Sequence, residues 1–119
     1  MIASQTPSSD RSSNLSNTYS LRWEGHMCDG VGTTAGPEPG AVLSANADEI
    51  WLQGRRGDFH LPRNAVVRIG RGRMYPWFFR GIRIRHNVAG YPAELQFGPF
   101  VGTTRDILAQ LKSLGFPTG

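Results

Sequence analysis

Between Leu21 and Phe97 the apolar residues recur at every second position in short runs, and beyond Thr103 the spacing changes to three and four. Period two is the mark of a half-buried strand and period 3.6 that of an amphipathic helix. Leu21 and Trp23 alternate with Arg22 and Glu24, so Tyr19 to Met27 is expected to be the first strand. Ile50 with Leu52, and Phe59 with Leu61, each share a face, and Arg55-Arg56-Gly57 supplies a turn between them. Together they predict a hairpin from Glu49 to Pro62. Val67 and Ile69 continue the alternation in residues 65–70. In residues 80–86 Ile82 and Ile84 are expected to point inward, with Arg83 and Arg85 outward. After the Gly90-Tyr91-Pro92 turn, Leu95 and Phe97 mark another strand, and a short piece around Val42 brings the expectation to about seven. Residues 29–40 hold four glycines and two prolines and are expected to be a loop. Short antiparallel strands at close spacing predict a mainly β domain, a small barrel or sandwich.

At the end of the chain Ile107, Leu108, Leu111 and Leu114 form one stripe, predicting a C-terminal helix over residues 104–114. Thr103 and Asp106 have capping-box spacing, and Asp106 and Lys112 carry the charges that the two helix ends prefer. Gly115 suits the left-handed position after the helix, which would turn Phe116 back onto Leu111.

A chain of 119 residues has room for one domain. Residues 1–18, with six serines and almost no apolar side chains, are expected to be a disordered tail, leaving residues 19–117 as the domain. The formal charge of +4 is unevenly spread. Residues 55–86 carry nine arginines against the single acid Asp58. The run from Arg71 to His86 interleaves Arg71, Arg73, Arg80, Arg83 and Arg85 with Tyr75, Trp77, Phe78 and Phe79, without one carboxylate. Basic residues among aromatics are the usual footprint of a surface that meets phosphate, an anionic membrane or an acidic partner. Arginine is favoured at anion sites because its planar fork makes bidentate contacts, although a GC-rich genome also writes arginine for lysine. A single cysteine, Cys28, excludes an internal disulfide, and the opening residues lack the pattern of a secretory signal, so a cytoplasmic setting is expected. No run approaches the roughly 18 apolar residues of a membrane span.

Antiparallel strands closed by one C-terminal amphipathic helix resemble the pleckstrin-homology-like superfold. The likeness is to its short bacterial versions: a turn-linked Glu49–Pro62 hairpin, a strand ending in Arg83-Ile84-Arg85, and a helix running into Leu114-Gly115-Phe116. The resemblance implies a seven-stranded, strongly bent sheet plugged by the helix, and a binding or scaffold module more than an enzyme. It does not carry over a lipid site. The phosphoinositide-binding members hold their basic pattern between the first two strands, where this chain has the nearly uncharged loop of residues 29–40.

Other motifs are weaker. His26, Cys28, His60 and His86 do not have the spacing of a four-ligand zinc site, and no cofactor or metal is expected. Gly30-Val31-Gly32 and Gly70-Arg71-Gly72 lack the strand-to-helix context of a phosphate loop and read as turns. Within Tyr75–Phe79, Trp77 and Phe79 are expected to serve the core and Tyr75 to be exposed, against the reading in which the whole cluster is an exposed wedge. Arg83 and Arg85, joined across the sheet by Arg68 and by His60, are expected to form an outward basic stripe. The competing reading pairs them with Asp48, Glu49 or Glu94 as a solvated face.

The candidate binding residues are therefore Arg68, Arg71, Arg73, Tyr75, Trp77, Arg80, Arg83 and Arg85. The favoured function is a non-enzymatic module that binds a protein partner, or a second copy of itself, through this surface. The alternatives are a nucleic-acid-binding barrel with an arginine stripe for phosphate, or peripheral contact with an anionic membrane. No small-molecule substrate is expected, since no paired carboxylates or nucleophile–base motif occur.

Overall fold

The structure, a computed structural model, describes residues 19–72 and 81–119. The expected tail of residues 1–18 and the expected placement of Trp77 and Phe79 lie outside the described residues. Seven strands, β1 (Leu21–Cys28), β2 (Ala41–Ala45), β3 (Glu49–Gly54), β4 (Gly57–Pro62), β5 (Val66–Arg71), β6 (Ile82–His86) and β7 (Glu94–Pro99), precede one helix, α1 (Thr104–Ser113). All pair antiparallel in the order β4-β3-β2-β1-β7-β6-β5, a curled half-barrel.

Why the sheet curls is visible at β1. Its first half, Leu21 to Gly25, pairs with β2, and its second half, Gly25 to Cys28, pairs with β7. One strand thus serves two three-strand wings and must bend where they meet. A Cβ on Gly25 would lie 1.9 Å from the Gly98 carbonyl oxygen, so only glycine lets the two backbones approach this closely. The concave side collects the inward residues: Met27, Leu43, Ile50, Leu52, Leu61, Ile69, Ile82, Ile84, Leu95 and Phe97 are all fully buried.

Alternation predicted most of this, with two corrections. The piece around Val42 is a full strand in which Ala41, Leu43 and Ala45 face the core and Val42 is only half-buried. In β5 a register shift between Val66 and Arg68 adds a residue, so Val66 and Ile69 are buried while Val67 is 52% exposed. A bulge of this kind breaks period two and reassigns the face of every residue before it.

Helix α1 follows its sequence signals closely. The Thr103 hydroxyl accepts from the Asp106 N–H at 3.1 Å, and Ile107 and Leu111 are fully buried. At the other end the Phe116 N–H reaches the Leu111 carbonyl and the Gly115 N–H the Lys112 carbonyl, the Schellman pattern, with Gly115 at φ 103°. Phe116 is buried as a result. The chain then runs along the outer edge of β5: the Ile69 N–H donates to Pro117 O at 2.8 Å, and the Gly119 N–H donates to Ile69 O at 3.0 Å. That edge is therefore covered by residues 117–119, which blunts it against strand addition. At the opposite edge, the Tyr91 hydroxyl accepts from the His60 N–H of β4 at 3.3 Å.

The glycine-rich loop of residues 29–40 is fastened at both ends. Asp29 Oδ1 accepts from the Val31 and Gly32 N–H groups, while Oδ2 pairs with Arg56 Nε at 3.1 Å in the β3–β4 turn. Burial alone would push the Asp29 carboxyl up, but those two backbone bonds and the Arg56 guanidinium outweigh it and hold it below the usual carboxylate range. Farther along, His26 donates from Nε2 to Gly36 O, while its Nδ1 lies 2.8 Å from the Thr34 hydroxyl.

Candidate anion-binding site

Strands β5 and β6 form a hairpin whose outward positions are set by register. Arg68 lies directly opposite Arg85, and Gly70 directly opposite Arg83. One strand farther, Arg85 faces Glu94 and Arg83 faces Gln96. Placing two arginines opposite each other on an antiparallel pair is unfavourable, because like charges meet at the shortest cross-strand distance.

Around this juxtaposition lies a cleft of about 400 Å³ lined by Arg68, Gly70, Arg71, Arg83, Arg85 and Gly119. Gly70 makes its floor. A Cβ built there would meet only the Gly119 carbonyl oxygen, at 3.4 Å, so the space above is open because no side chain fills it. Arg68 is steadied by its Nε–H donating to that same Gly119 oxygen at 3.3 Å. Arg71, at the end of β5, lies at the rim, just before the hairpin base where the Gly72 N–H donates to Gly81 O. The Gly81 carbonyl also accepts from the buried Thr104 hydroxyl at the start of α1, which anchors the hairpin to the helix.

Among the described residues, Glu94 is the carboxylate that pairs with this cleft. Its two oxygens lie 3.8 Å from Arg83 Nη1 and 3.9 Å from Arg85 Nε. Charge-assisted hydrogen bonds close to about 2.7–2.9 Å, so Glu94 attracts both arginines without bonding tightly to either. The pair with Arg85 is half-exposed and adds little stability. Arg83 and Arg85 thus share one loosely held carboxylate.

Of the sequence-predicted residues, Arg68, Arg71, Arg83 and Arg85 are brought together, whereas Arg73, Tyr75, Trp77 and Arg80 lie outside the described residues. Two expectations are corrected. Gly70-Arg71-Gly72 is not a turn: Gly70 and Arg71 belong to β5, and Gly70 is the cleft floor. Its outward position two residues after Arg68 was a signal for this. His60 is not part of the stripe, because β4 and β5 are the two opposite ends of the sheet order. Likewise Asp48 and Glu49 do not pair with the stripe; of the three proposed acids only Glu94 does.

His60 belongs instead to a second cluster, on the outer face of β3 and β4, that sequence reading missed. It stacks on Trp51 at 4.9 Å between ring centroids and 15° between planes, and Tyr19 packs on the same Trp51 at 5.7 Å. The Trp51 indole N–H donates to Asp58 and the Tyr19 hydroxyl to Glu49. His60 lies between those two acids, 3.6 Å from Glu49 and 3.8 Å from Asp58. Burial first, then the hydrogen bond to Glu49 and the charges of Glu49 and Asp58, push the Tyr19 hydroxyl well above its ordinary value. The two-residue turn fixes Gly54 opposite Gly57 and hence Trp51 opposite His60, so the register implied in the sequence held this cluster.

No group of three His, Cys, Asp or Glu residues that could hold a metal occurs among the described residues. Cys28 is buried at the end of β1, and His86 is occupied by Pro92 O and the Val88 N–H. No described helix is long and apolar enough to cross a membrane.

No family model matches the chain, and no curated protein matches it. Among solved structures, the chain is similar to the C-terminal domain of an unknown protein from Leishmania infantum. The two share a TM-score of 0.61 and 12% identity over 90% of this chain and 95% of that one. At that identity the likeness is one of fold.

Proposed function

We propose that this chain is a non-enzymatic interaction module of the pleckstrin-homology-like kind, which binds a protein partner by receiving an acidic group in the arginine cleft. The observation that carries this reading is the Arg68–Arg85 juxtaposition beside the open floor at Gly70, with Glu94 the paired carboxylate there among the described residues. Folding gains nothing from setting like charges opposite each other, so their presence is explained by a ligand that neutralises them. Two three-strand wings sharing a bent β1, with a closing helix, support the superfold reading.

The cleft's contents favour binding over catalysis. Arginine stays protonated at any ordinary pH and offers donors only, so the lining residues have no group suited to shuttling a proton near neutrality. The placement of the charge favours a protein group over a nucleic-acid track: Arg68, Arg83 and Arg85 meet at one cleft on the β5–β6 face.

Polyglutamate and a single-stranded oligonucleotide are the probes that test this. The protein is expected to bind polyglutamate, and Arg83→Ala with Arg85→Ala is expected to abolish that binding. Oligonucleotide binding at submicromolar affinity in about 0.15 M salt, stronger than nonspecific contacts usually give, would move the reading to nucleic acid.

A further inference from the structure

We infer that the group this cleft receives is a phosphate monoester on a side chain of the partner, in preference to a carboxylate or a phosphate diester. The inference rests on the protein-partner reading and concerns which anion that partner presents.

The first argument is charge. Arg68, Arg83 and Arg85 outnumber Glu94, the carboxylate that pairs with them among the described residues, so the cleft keeps an excess of positive charge. A carboxylate or a phosphate diester brings one negative charge, whereas a phosphate monoester brings about −1.5 to −2 near neutral pH. The monoester comes closest to balancing the site.

Shape is the second. A planar carboxylate matches one guanidinium fork, two oxygens to two N–H groups. Here the guanidiniums come from two strands: Arg68 from β5, Arg83 and Arg85 from β6, with Gly70 between them on the same face. A tetrahedral group with three free oxygens has an acceptor for each of several arginines at once. A diester has only two such oxygens and carries the chain on both sides, which a concave site one glycine wide does not suit.

Glu94 leaves room for such a group. Its oxygens sit within Coulomb range of Arg83 and Arg85 but beyond hydrogen-bond length, so both guanidiniums keep donors for an incoming anion.

The experiment follows the side-chain Nε–Hε signals of the arginines by NMR in the full chain. Inorganic phosphate, acetate and dimethyl phosphate are titrated at constant ionic strength near pH 7.5, where phosphate is mostly dianionic. Phosphate is expected to shift the Arg68, Arg83 and Arg85 signals to saturation. Acetate and dimethyl phosphate should bind roughly tenfold more weakly or worse, the ratio that one additional charge-assisted bond provides. Arg85→Ala is expected to narrow that ratio by removing one of the guanidiniums that the additional oxygens and charge engage, while the backbone amide spectrum reports an intact fold. Equal responses to phosphate and acetate in the wild type, or an unchanged ratio in Arg85→Ala, overturn the inference. If polyglutamate then still binds and Arg83→Ala with Arg85→Ala still abolishes it, the protein-partner reading survives; if polyglutamate also fails to bind, both fall. A phosphoserine peptide and vesicles carrying phosphatidic acid separate the two sources of a monoester. Binding to the vesicles and not to the peptide contradicts the protein source.

Discussion

The β3–β4 and β5–β6 hairpins present outward faces of similar size on one sheet, and they handle charge in opposite ways. On β3–β4 the polar groups around Trp51 have partners: Trp51 with Asp58, Tyr19 with Glu49, and His60 between both acids while stacked on the indole. On β5–β6 Arg68 faces Arg85 across the ladder, Gly70 leaves an open floor, and Glu94 answers two arginines from a distance. The first face is a closed network that contributes to folding. The second holds unspent charge, and a ligand site differs from a stabilising surface in this respect.

Four substitutions test that contrast. The largest effect is expected where both hairpins depend on a common core. Leu111→Ala, which empties a fully buried position on α1, should cost about 2–4 kcal/mol in denaturant unfolding. It should also weaken anion binding, since the helix start anchors the β5–β6 hairpin through Thr104 and Gly81. A neutral result would mean that α1 does not close the core. Next, Trp51→Ala removes the centre of the satisfied face and should cost about 1–2 kcal/mol without changing the response to phosphate. A lost phosphate response would join the two faces that are held separate here.

Asp29→Asn probes the loop through pH. The Asp29 carboxyl titrates below its ordinary value in the folded protein, so its stabilising effect is complete above the unfolded value near 4 and disappears as the pH falls through the folded value. The variant should be less stable than the wild type at neutral pH, and the gap should close in acid denaturation curves below about pH 4. A gap that persists in acid would contradict the ion-pair account. The smallest effect is expected for Arg85→Ala, which should change stability by no more than about 0.5 kcal/mol, in the stabilising direction, because it removes one of two facing like charges.

Much of the fold was legible because its signals are local. Thr103, Gly115 and the Ile107–Leu111 spacing specified α1 and its turn-back within one short segment. Ile82 and Ile84 against Arg83 and Arg85 likewise gave the faces of β6. What local pattern misjudged was decided by register. The bulge at Val66/Arg68 exposed Val67, and a glycine that looked like a turn proved to be the space opposite Arg83. The arginine group was visible as composition, and alternation joined Arg68 to Arg83 and Arg85; that Arg68 faces Arg85 directly was not visible, since it depends on the register of β5 and β6. His60 was assigned to the stripe because nothing in the sequence tells that β4 and β5 end on opposite sides of the sheet.

The most direct test compares the stability of wild type and Arg85→Ala in two buffers of equal ionic strength, one of chloride and one of phosphate. If the arginines are held for an anion, the variant should equal or exceed the wild type in chloride. In phosphate the wild type alone should gain, by about 1.4 kcal/mol once phosphate reaches tenfold its dissociation constant, and the order should reverse. A variant that is already clearly less stable in chloride, with no further separation in phosphate, would show that Arg85 serves the fold and that the cleft is not a binding site.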